Sequence, residues 1–138
     1  MFDAALEGRW ETDDDTLLIE RTGDLYGVTM HSKKDPADSQ KYEMHLVDLN
    51  GVRFADLLPE DMIGHMFLRV RLTVGLLRID FFDSEWLRKQ IPHEEADIDN
   101  GRKRAVLTAR TPQLQSLVAK FARESKSYAD ENVFRRVN

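Results

Sequence analysis

Short runs of alternating apolar and polar residues, separated by turn-forming residues, occupy most of the chain through about residue 82. This period of two is typical of β-strands that bury one face. The best-specified hairpin folds about Val74-Gly75 and has one face that is wholly apolar. Its cross-strand pairs are Leu72 with Leu77, Val70 with Ile79, and Leu68 with Phe81. A slip by one residue would expose all of these side chains, so the register is strongly specified.

Three further dipeptides mark hairpin turns: Thr22-Gly23, Asn50-Gly51 and Asn100-Gly101. Asn-Gly suits a type I′ turn, which needs positive φ at both central positions. The turn at Asn50-Gly51 pairs Asp48 with Arg53, Val47 with Phe54, and His45 with Asp56. The turn at Asn100-Gly101 pairs Asp99 with Arg102 and Asp97 with Arg104. Opposite charges meet across both turns, which favours these pairings.

Two helices are predicted in the later part of the chain. Near residues 84–91, Asp83 or Ser84 can cap a short helix that Pro92 ends. Near residues 112–124, Thr111 provides a cap and Pro112 takes the first helical position. The apolar positions of this second helix recur at i, i+3, i+4 and i+7, an amphipathic pattern. They are Leu114, Leu117, Val118 and Phe121. Val133-Phe134 then marks a closing strand.

Successive short hairpins predict an antiparallel meander, which must curl or close once its strands are numerous. The 138 residues suffice for one domain with a real core. We therefore predict a single, mainly β domain over residues 1–138, with an α+β tendency from its two late helices. The sheet is expected to form a barrel or a strongly curled sheet, with the helices packed over one opening.

Gly8-Arg9-Trp10 stands just ahead of the first predicted strand. This triplet resembles the G-x-W motif of lipocalins and their calycin relatives, and the strand order is similar in outline. In that family the Trp closes the base of the barrel and packs under a basic side chain from near the C-terminus. The resemblance implies this role for Trp10, with Arg135 or Arg136 as its cation–π partner. It also implies an up-and-down barrel whose interior holds a small apolar ligand.

Composition removes several classes of function. The chain has no Cys, which excludes disulfides, thiol catalysis and Cys-ligated metals. No apolar run approaches the roughly 20 residues of a membrane helix. The net charge of −5 argues against nucleic acid as the main partner. The first residues lack a signal-peptide pattern, so we expect a soluble cytoplasmic protein. The alternative is an exported mature domain whose leader is absent from this chain.

The arginine-rich face of the Val74-Gly75 hairpin is the main candidate binding surface. Its register places Arg71 opposite Arg78, and Arg69 opposite Asp80. A like-charge pair is unfavourable unless an anion lies nearby. The three guanidinium groups are therefore candidates for binding a carboxylate, a phosphate or a lipid headgroup. Alternatively, acids from a neighbouring strand neutralise them on the outer surface.

His45 and Asp56 form the most suggestive polar pair, because a carboxylate that orients an imidazole is half of a general-base device. No nucleophile accompanies them, so a cross-strand polar pair is the simpler interpretation, and His45 joins the candidate ligand-binding residues. The four His have neither H-x-H nor H-E-x-x-H spacing. Residues 97–108 depart from a calcium loop at Gly101 and Thr108. We therefore predict no catalytic residue, no metal site and no cofactor.

Two hypotheses for function follow. The favoured one is a non-enzymatic domain that binds a small apolar or amphipathic ligand inside a barrel, with the three arginines meeting an anionic end. The competing one is a module for protein interaction or self-association, such as a homodimer, with a filled core and no ligand. An internal void would favour the first hypothesis, and an exposed apolar patch would favour the second.

Overall fold

The computed structural model describes residues 3–35, 37–61, 64–83, 86, 89, 96–99, 104–107, 111–124 and 128–137. Its strands are β1 (Gly8–Glu11), β2 (Asp15–Thr22), β3 (Leu25–Ser32), β4 (Ser39–Leu49), β5 (Val52–Pro59), β6 (Met66–Thr73), β7 (Leu76–Phe82), β8 (Ala96–Asp99), β9 (Arg104–Leu107) and β10 (Tyr128–Val137). A 3-10 helix covers Ala4–Leu6, and α1 covers Thr111–Phe121. The predicted mainly β, antiparallel fold is confirmed.

Eight of these strands form a closed barrel in the order β1-β10-β7-β6-β5-β4-β3-β2. Strands β8 and β9 form a separate two-stranded sheet. Neighbouring strands in the barrel are antiparallel throughout. Closure leaves no strand of the barrel with an unpaired edge, which is the usual solution for a long antiparallel meander.

Two hairpins have the predicted register. Every pair expected across Val74-Gly75 and across Asn50-Gly51 is found. Asn50 and Gly51 have φ of 53° and 74°, the two positive values that a type I′ turn requires. In these hairpins the apolar alternation and the turn residues independently favour the same register.

The other two hairpins differ from the prediction. Thr22 pairs with Leu25, so the turn residues are Gly23 and Asp24 rather than Thr22-Gly23. Asp99 pairs with Arg104 and Asp97 with Val106, so residues 100–103 connect β8 to β9. The predicted two-residue turn at Asn100-Gly101 is therefore wrong in register. Both strands of that pair are short, and a short strand carries too little apolar alternation to fix its register.

The segment around Trp10 is itself a strand of the barrel, not a lead-in to the first strand. Strand β1 pairs with β2 on one side and with β10 on the other, where Trp10 is opposite Arg136. Strand β10 also pairs with β7 and includes the predicted closing residues Val133 and Phe134. The two strands farthest apart in the sequence thus close the barrel.

Helix α1 packs on the outside of the barrel wall, which corrects the expectation that it covers an opening. Its buried residues join the outward-facing residues of β4, β5 and β6 in a second core, called the outer apolar cluster. The members are Leu49, Phe54, Phe67, Val118, Phe121 and Ala122. The end of α1 is held to the turn between β4 and β5, because Asn50 Nδ2 donates to Ala119 O (3.2 Å) and Arg123 Nε donates to Asn50 O (3.0 Å).

Most of the helix predicted near residues 84–91 lies outside the described residues. Trp86 is described, and its backbone N–H donates to the Asp83 carboxylate (2.9 Å), as expected of a capping residue. Its ring meets Phe121 edge-on, with centroids 4.9 Å apart, at the rim of the outer apolar cluster. Within the described residues, no helix combines the length and the apolar character needed to cross a bilayer.

One end of the barrel, called the base, is closed by Trp10 and the residues that precede it. The Trp10 indole is almost fully buried and donates to Leu6 O (3.0 Å). Of the two candidate arginines, Arg136 covers this indole, with its guanidinium carbon 4.3 Å from the ring centroid. Arg135 instead lies near Asp13 (3.3 Å) at the surface.

Gly8 is required at this base by its backbone and by its surroundings. Its φ is +128°, a backbone conformation that residues other than glycine rarely adopt. A Cβ at this position would lie 2.7 Å from Arg136 Nη1. The same guanidinium donates to Glu7 O (3.0 Å) and to Ala5 O. Gly8, Trp10 and Arg136 therefore form one packed unit.

We expect Arg136→Ala to lower the free energy of unfolding by about 1–2 kcal/mol, because it removes a cation–π contact and charge-assisted hydrogen bonds to backbone carbonyls. Arg135→Ala is the matched control and should cost less than about 0.5 kcal/mol, as expected for an exposed ion pair. Urea denaturation of both variants measures the difference. Equal losses would show that Arg136 has no special role at the base.

Candidate functional site: an apolar cavity inside the barrel

The base is closed by a segment that crosses the barrel. Arg136 on β10 holds the carbonyls of Ala5 and Glu7. On the opposite wall, the Tyr26 hydroxyl donates to Asp3 O (2.9 Å), and Arg53 Nη1 lies 3.2 Å from Asp3 Oδ2. Strands β3 and β5, which carry these two residues, lie across the barrel from β10. Residues 3–8 therefore seal this end.

Above the base, the barrel encloses a cavity of about 150 Å³. Of the seventeen described residues that line it, fifteen have side chains without oxygen or nitrogen, and none of the seventeen is charged. The lining residues are Leu6, Leu17, Ile19, Val28, Met30, Gln40, Tyr42, Met44, Ala55, Leu57, Met66, Leu68, Val70, Leu77, Ile79, Phe81 and Phe134. The inward-facing positions of the strands thus leave space that their own side chains do not fill.

This cavity is costly if it stays empty. At about 24 cal/mol per Å³, a void of about 150 Å³ lowers the free energy of unfolding by roughly 3.6 kcal/mol. That is a large fraction of the 5–15 kcal/mol by which a typical domain is stable. The interior of an eight-stranded barrel is either filled by its own side chains or holds one small ligand. The unfilled space makes this cavity the candidate binding site.

The polar groups of the cavity lie toward the end opposite the base, called the mouth, where β3 and β5 end and β4 and β6 begin. Gln40 and Tyr42 are both on β4, and the Tyr42 hydroxyl donates to the Gln40 side-chain oxygen. Met30 and Met66 line the same end. Thioether side chains are unbranched and flexible, so this part of the wall can adapt to the shape of a ligand.

A polar groove of about 340 Å³ lies beside the mouth. It is lined by Ser39, Gln40, Lys41, Glu60 and Asp61, so Gln40 belongs to both the groove and the cavity. The groove has two acids and one base. Any ligand that leaves the cavity at Gln40 enters a polar environment with an excess of negative charge.

Acidic residues also crowd the strand ends at the mouth. Burial raises the pKa of Asp15, and the nearby negative charges of Asp14 and Asp38 raise it further. The positive charge of Lys33 only partly opposes this rise. Three carboxyl groups thus lie close together at these strand ends, with Lys33 as the cation beside them.

The arginines singled out from the sequence do not line the cavity. Arg69, Arg71 and Arg78 alternate along β6 and β7 with residues that do, so they lie on the outer face of the wall. This corrects the expectation that they hold the anionic end of a ligand inside the barrel. The physical reason is the pleat, because successive side chains of a strand point to opposite faces.

These arginines are paired with acids on that outer face. Arg69 Nε lies 2.8 Å from Asp80 Oδ2, and Arg71 Nη2 lies 3.0 Å from the same oxygen. Glu131 on β10 bridges Arg71 and Arg78 (2.7 Å to Arg78 Nη1). The unfavourable Arg71–Arg78 pair is thus relieved by an acid from the neighbouring strand.

Tyr128 completes this outer network. The guanidinium carbon of Arg69 lies 4.1 Å above the Tyr128 ring, and the Tyr128 hydroxyl donates to Ala122 O (2.6 Å). Burial raises the pKa of Tyr128 to about 12, although the charge of Arg69 opposes the rise. The hydroxyl therefore stays protonated and joins β10 to the end of α1.

The predicted His45–Asp56 pair is present as a cross-strand pair, but another histidine binds the carboxylate. His45 is exposed on the outer face, whereas His65 Nδ1 lies 2.7 Å from Asp56 Oδ1. His65 also stacks on Phe67 (6.1 Å between ring centroids). The sequence signal for this contact is that His65, which directly precedes β6, is two residues from Phe67, the residue that pairs with Asp56.

Asp56 is buried, and the hydrogen bond to His65 is its main compensation. Burial raises the pKa of Asp56, while the hydrogen bond to His65 and the charges of His65 and His45 lower it by less. In the part of the chain that the structure describes, no three His, Asp or Glu side chains come together as a metal site.

No protein-family model, curated protein sequence or solved structure matches this chain significantly. The fold and the cavity therefore define the class of protein, a closed eight-stranded antiparallel barrel with an apolar interior.

We expect Asp56→Asn to remove a pH dependence of stability. Since the pKa of Asp56 is raised above 3.8 in the folded state, the folded protein binds more protons than the unfolded chain between these two pKa values. The wild-type free energy of unfolding, minus that of the variant, should therefore fall as the pH rises from 3.8 through the raised pKa of the folded Asp56. Asp24→Asn, in an exposed turn, controls for the loss of one carboxylate. A difference that rises with pH would contradict the expectation.

Proposed function

We propose that this protein binds a small apolar molecule inside its barrel, as a lipocalin-like binding domain. The observation that carries the proposal is the uncharged cavity of about 150 Å³ above a sealed base. An apolar cavity of this volume takes a molecule of about the size of benzene. Larger ligands, in the range of ordinary binding pockets, would require the flexible Met side chains at the mouth to move.

The packing at the base supports the lipocalin-like part of the proposal. Gly8, Trp10 and Arg136 have the arrangement that the G-x-W resemblance implies, with a basic residue of the last strand over the indole. This unit closes the barrel at the base, so the base bounds one end of the cavity that a ligand would occupy. A sealed base is what separates a binding pocket from an open channel.

The competing hypothesis, an interaction module with a filled core, has less support. Its core would be packed, whereas this barrel contains a void. Its surface would carry an apolar patch, whereas the exposed large apolar residues among those described are Val74 and Val137. Helix α1 already covers the apolar outer face of the wall.

We expect benzene to raise the Tm of the wild-type protein and not that of Ala55→Leu. Ala55 lines the cavity and is fully buried, so a larger side chain there fills the space. A ligand at ~10 times its Kd adds about 1.4 kcal/mol to the free energy of unfolding, or about 3–5 °C in Tm. Differential scanning calorimetry with and without benzene measures both effects.

Ala129→Leu, the same change at an exposed position of β10, should respond to benzene as the wild type does. If Ala55→Leu does not fold, Ala55→Val tests the same point with a smaller side chain. Native mass spectrometry of protein purified from its own host would show a carried ligand as extra mass lost on denaturation. A wild-type Tm that benzene leaves unchanged would overturn the proposal.

A further inference from the structure

We propose that the ligand of this cavity is uncharged and has one hydrogen-bonding end, as in an alcohol, aldehyde or ketone, and that Gln40 selects it. This inference rests on the proposed function and names the chemical class of the ligand. It follows from three features of the site: the position of its polar side chains, the absence of charge in its lining, and the acids at its mouth.

The first feature is a single polar spot in an apolar wall. Gln40 and Tyr42 are two residues apart on β4 and therefore share its inner face. They are the cavity-lining residues with polar side-chain atoms. The hydroxyl of Tyr42 donates to the side-chain oxygen of Gln40, which fixes the amide and leaves its NH₂ group as the donor.

Gln40 is placed to present that donor to a ligand. Its side chain is half-buried and lines both the cavity and the polar groove at the mouth. Among the described residues, no oxygen atom accepts a hydrogen bond from the Gln40 side-chain nitrogen. A carbonyl or hydroxyl oxygen at the end of an apolar ligand would accept from this group while the rest of the molecule fills the cavity.

The second feature excludes charged ligands. No Arg, Lys, Asp or Glu among the described residues lines the cavity, so the charge of a carboxylate or an ammonium group would lose its hydration without gaining a counterion there. The arginines that could have paired with a carboxylate lie on the other side of the wall. Their guanidinium groups are already bound to Asp80 and Glu131.

The third feature concerns the route into the cavity. Glu60 and Asp61 outnumber Lys41 in the groove, and Asp14, Asp15 and Asp38 outnumber Lys33 at the neighbouring strand ends. This excess of negative charge disfavours fatty-acid anions before they reach the cavity. Neutral amphiphiles remain as the class that meets neither this repulsion nor the penalty for burying a charge, since a hydrogen bond to Gln40 offsets the smaller cost of burying their polar end.

The test compares four ligands that share one carbon skeleton: n-hexane, n-hexanol, hexanoate and hexylammonium. Their Kd values at pH 7 are measured by NMR titration of the wild type, Gln40→Leu and Gln115→Leu. Gln115 lies on α1, outside the barrel, so Gln115→Leu is a matched control. If Gln40→Leu does not fold, Gln40→Met takes its place.

In the wild type, n-hexanol should bind at least about tenfold more tightly than hexanoate or hexylammonium. Gln40→Leu should weaken n-hexanol about tenfold, the effect of losing one hydrogen bond, while n-hexane binds as before or more tightly. Gln115→Leu should change none of these values.

Tightest binding of hexanoate or hexylammonium would overturn the inference. So would equal effects of Gln40→Leu on n-hexanol and n-hexane. In both cases the binding of any of the four compounds inside the barrel would leave the proposed function standing. If none of the four binds to the wild type, the inference is overturned, and the benzene experiment decides separately whether the proposed function stands.

Discussion

The packing of Trp10 between Leu6 and Arg136 is the interaction on which the rest of the structure depends. It joins the first strand of the barrel, the last strand and the segment that crosses the base. Without it, the closed sheet would be a tube with two open ends, and water could enter the apolar interior from both. With it, the barrel is closed at the base, and the pleat of the strands determines which side chains face the interior above the base.

The wall separates two kinds of chemistry. The described inward positions that line the cavity carry no charged side chain, whereas outward positions include the buried carboxylates Asp56 and Asp80. Each carboxylate is bound by a cationic or imidazole partner on that same outer face. Because the charged groups compensate one another outside, they stabilise the sheet without adding any charge to the interior.

Much of this fold could be predicted from the sequence, and the exceptions have physical causes. The hairpins at Asn50-Gly51 and Val74-Gly75 were predictable because turn residues and apolar alternation favour one register. The pair β8–β9 was not, since its strands are too short for alternation to fix them. The outward direction of Arg69 and Arg71 follows from the same alternation that places Leu68 and Val70 inside. The presence of a cavity could not be predicted, because it depends on how closely side chains from different strands meet.

Closure at the base also has a consequence for folding kinetics. Arg136 reaches Glu7 across 129 residues of sequence, so this contact forms only after almost the whole domain has been synthesised. The local hairpins can form early, whereas the contacts that shut the barrel carry the full entropy cost of a long loop. Until they form, the apolar interior faces solvent in a curled but open sheet. A nascent or partly folded chain of this protein is therefore expected to be aggregation-prone, and closure is expected to be its slow step.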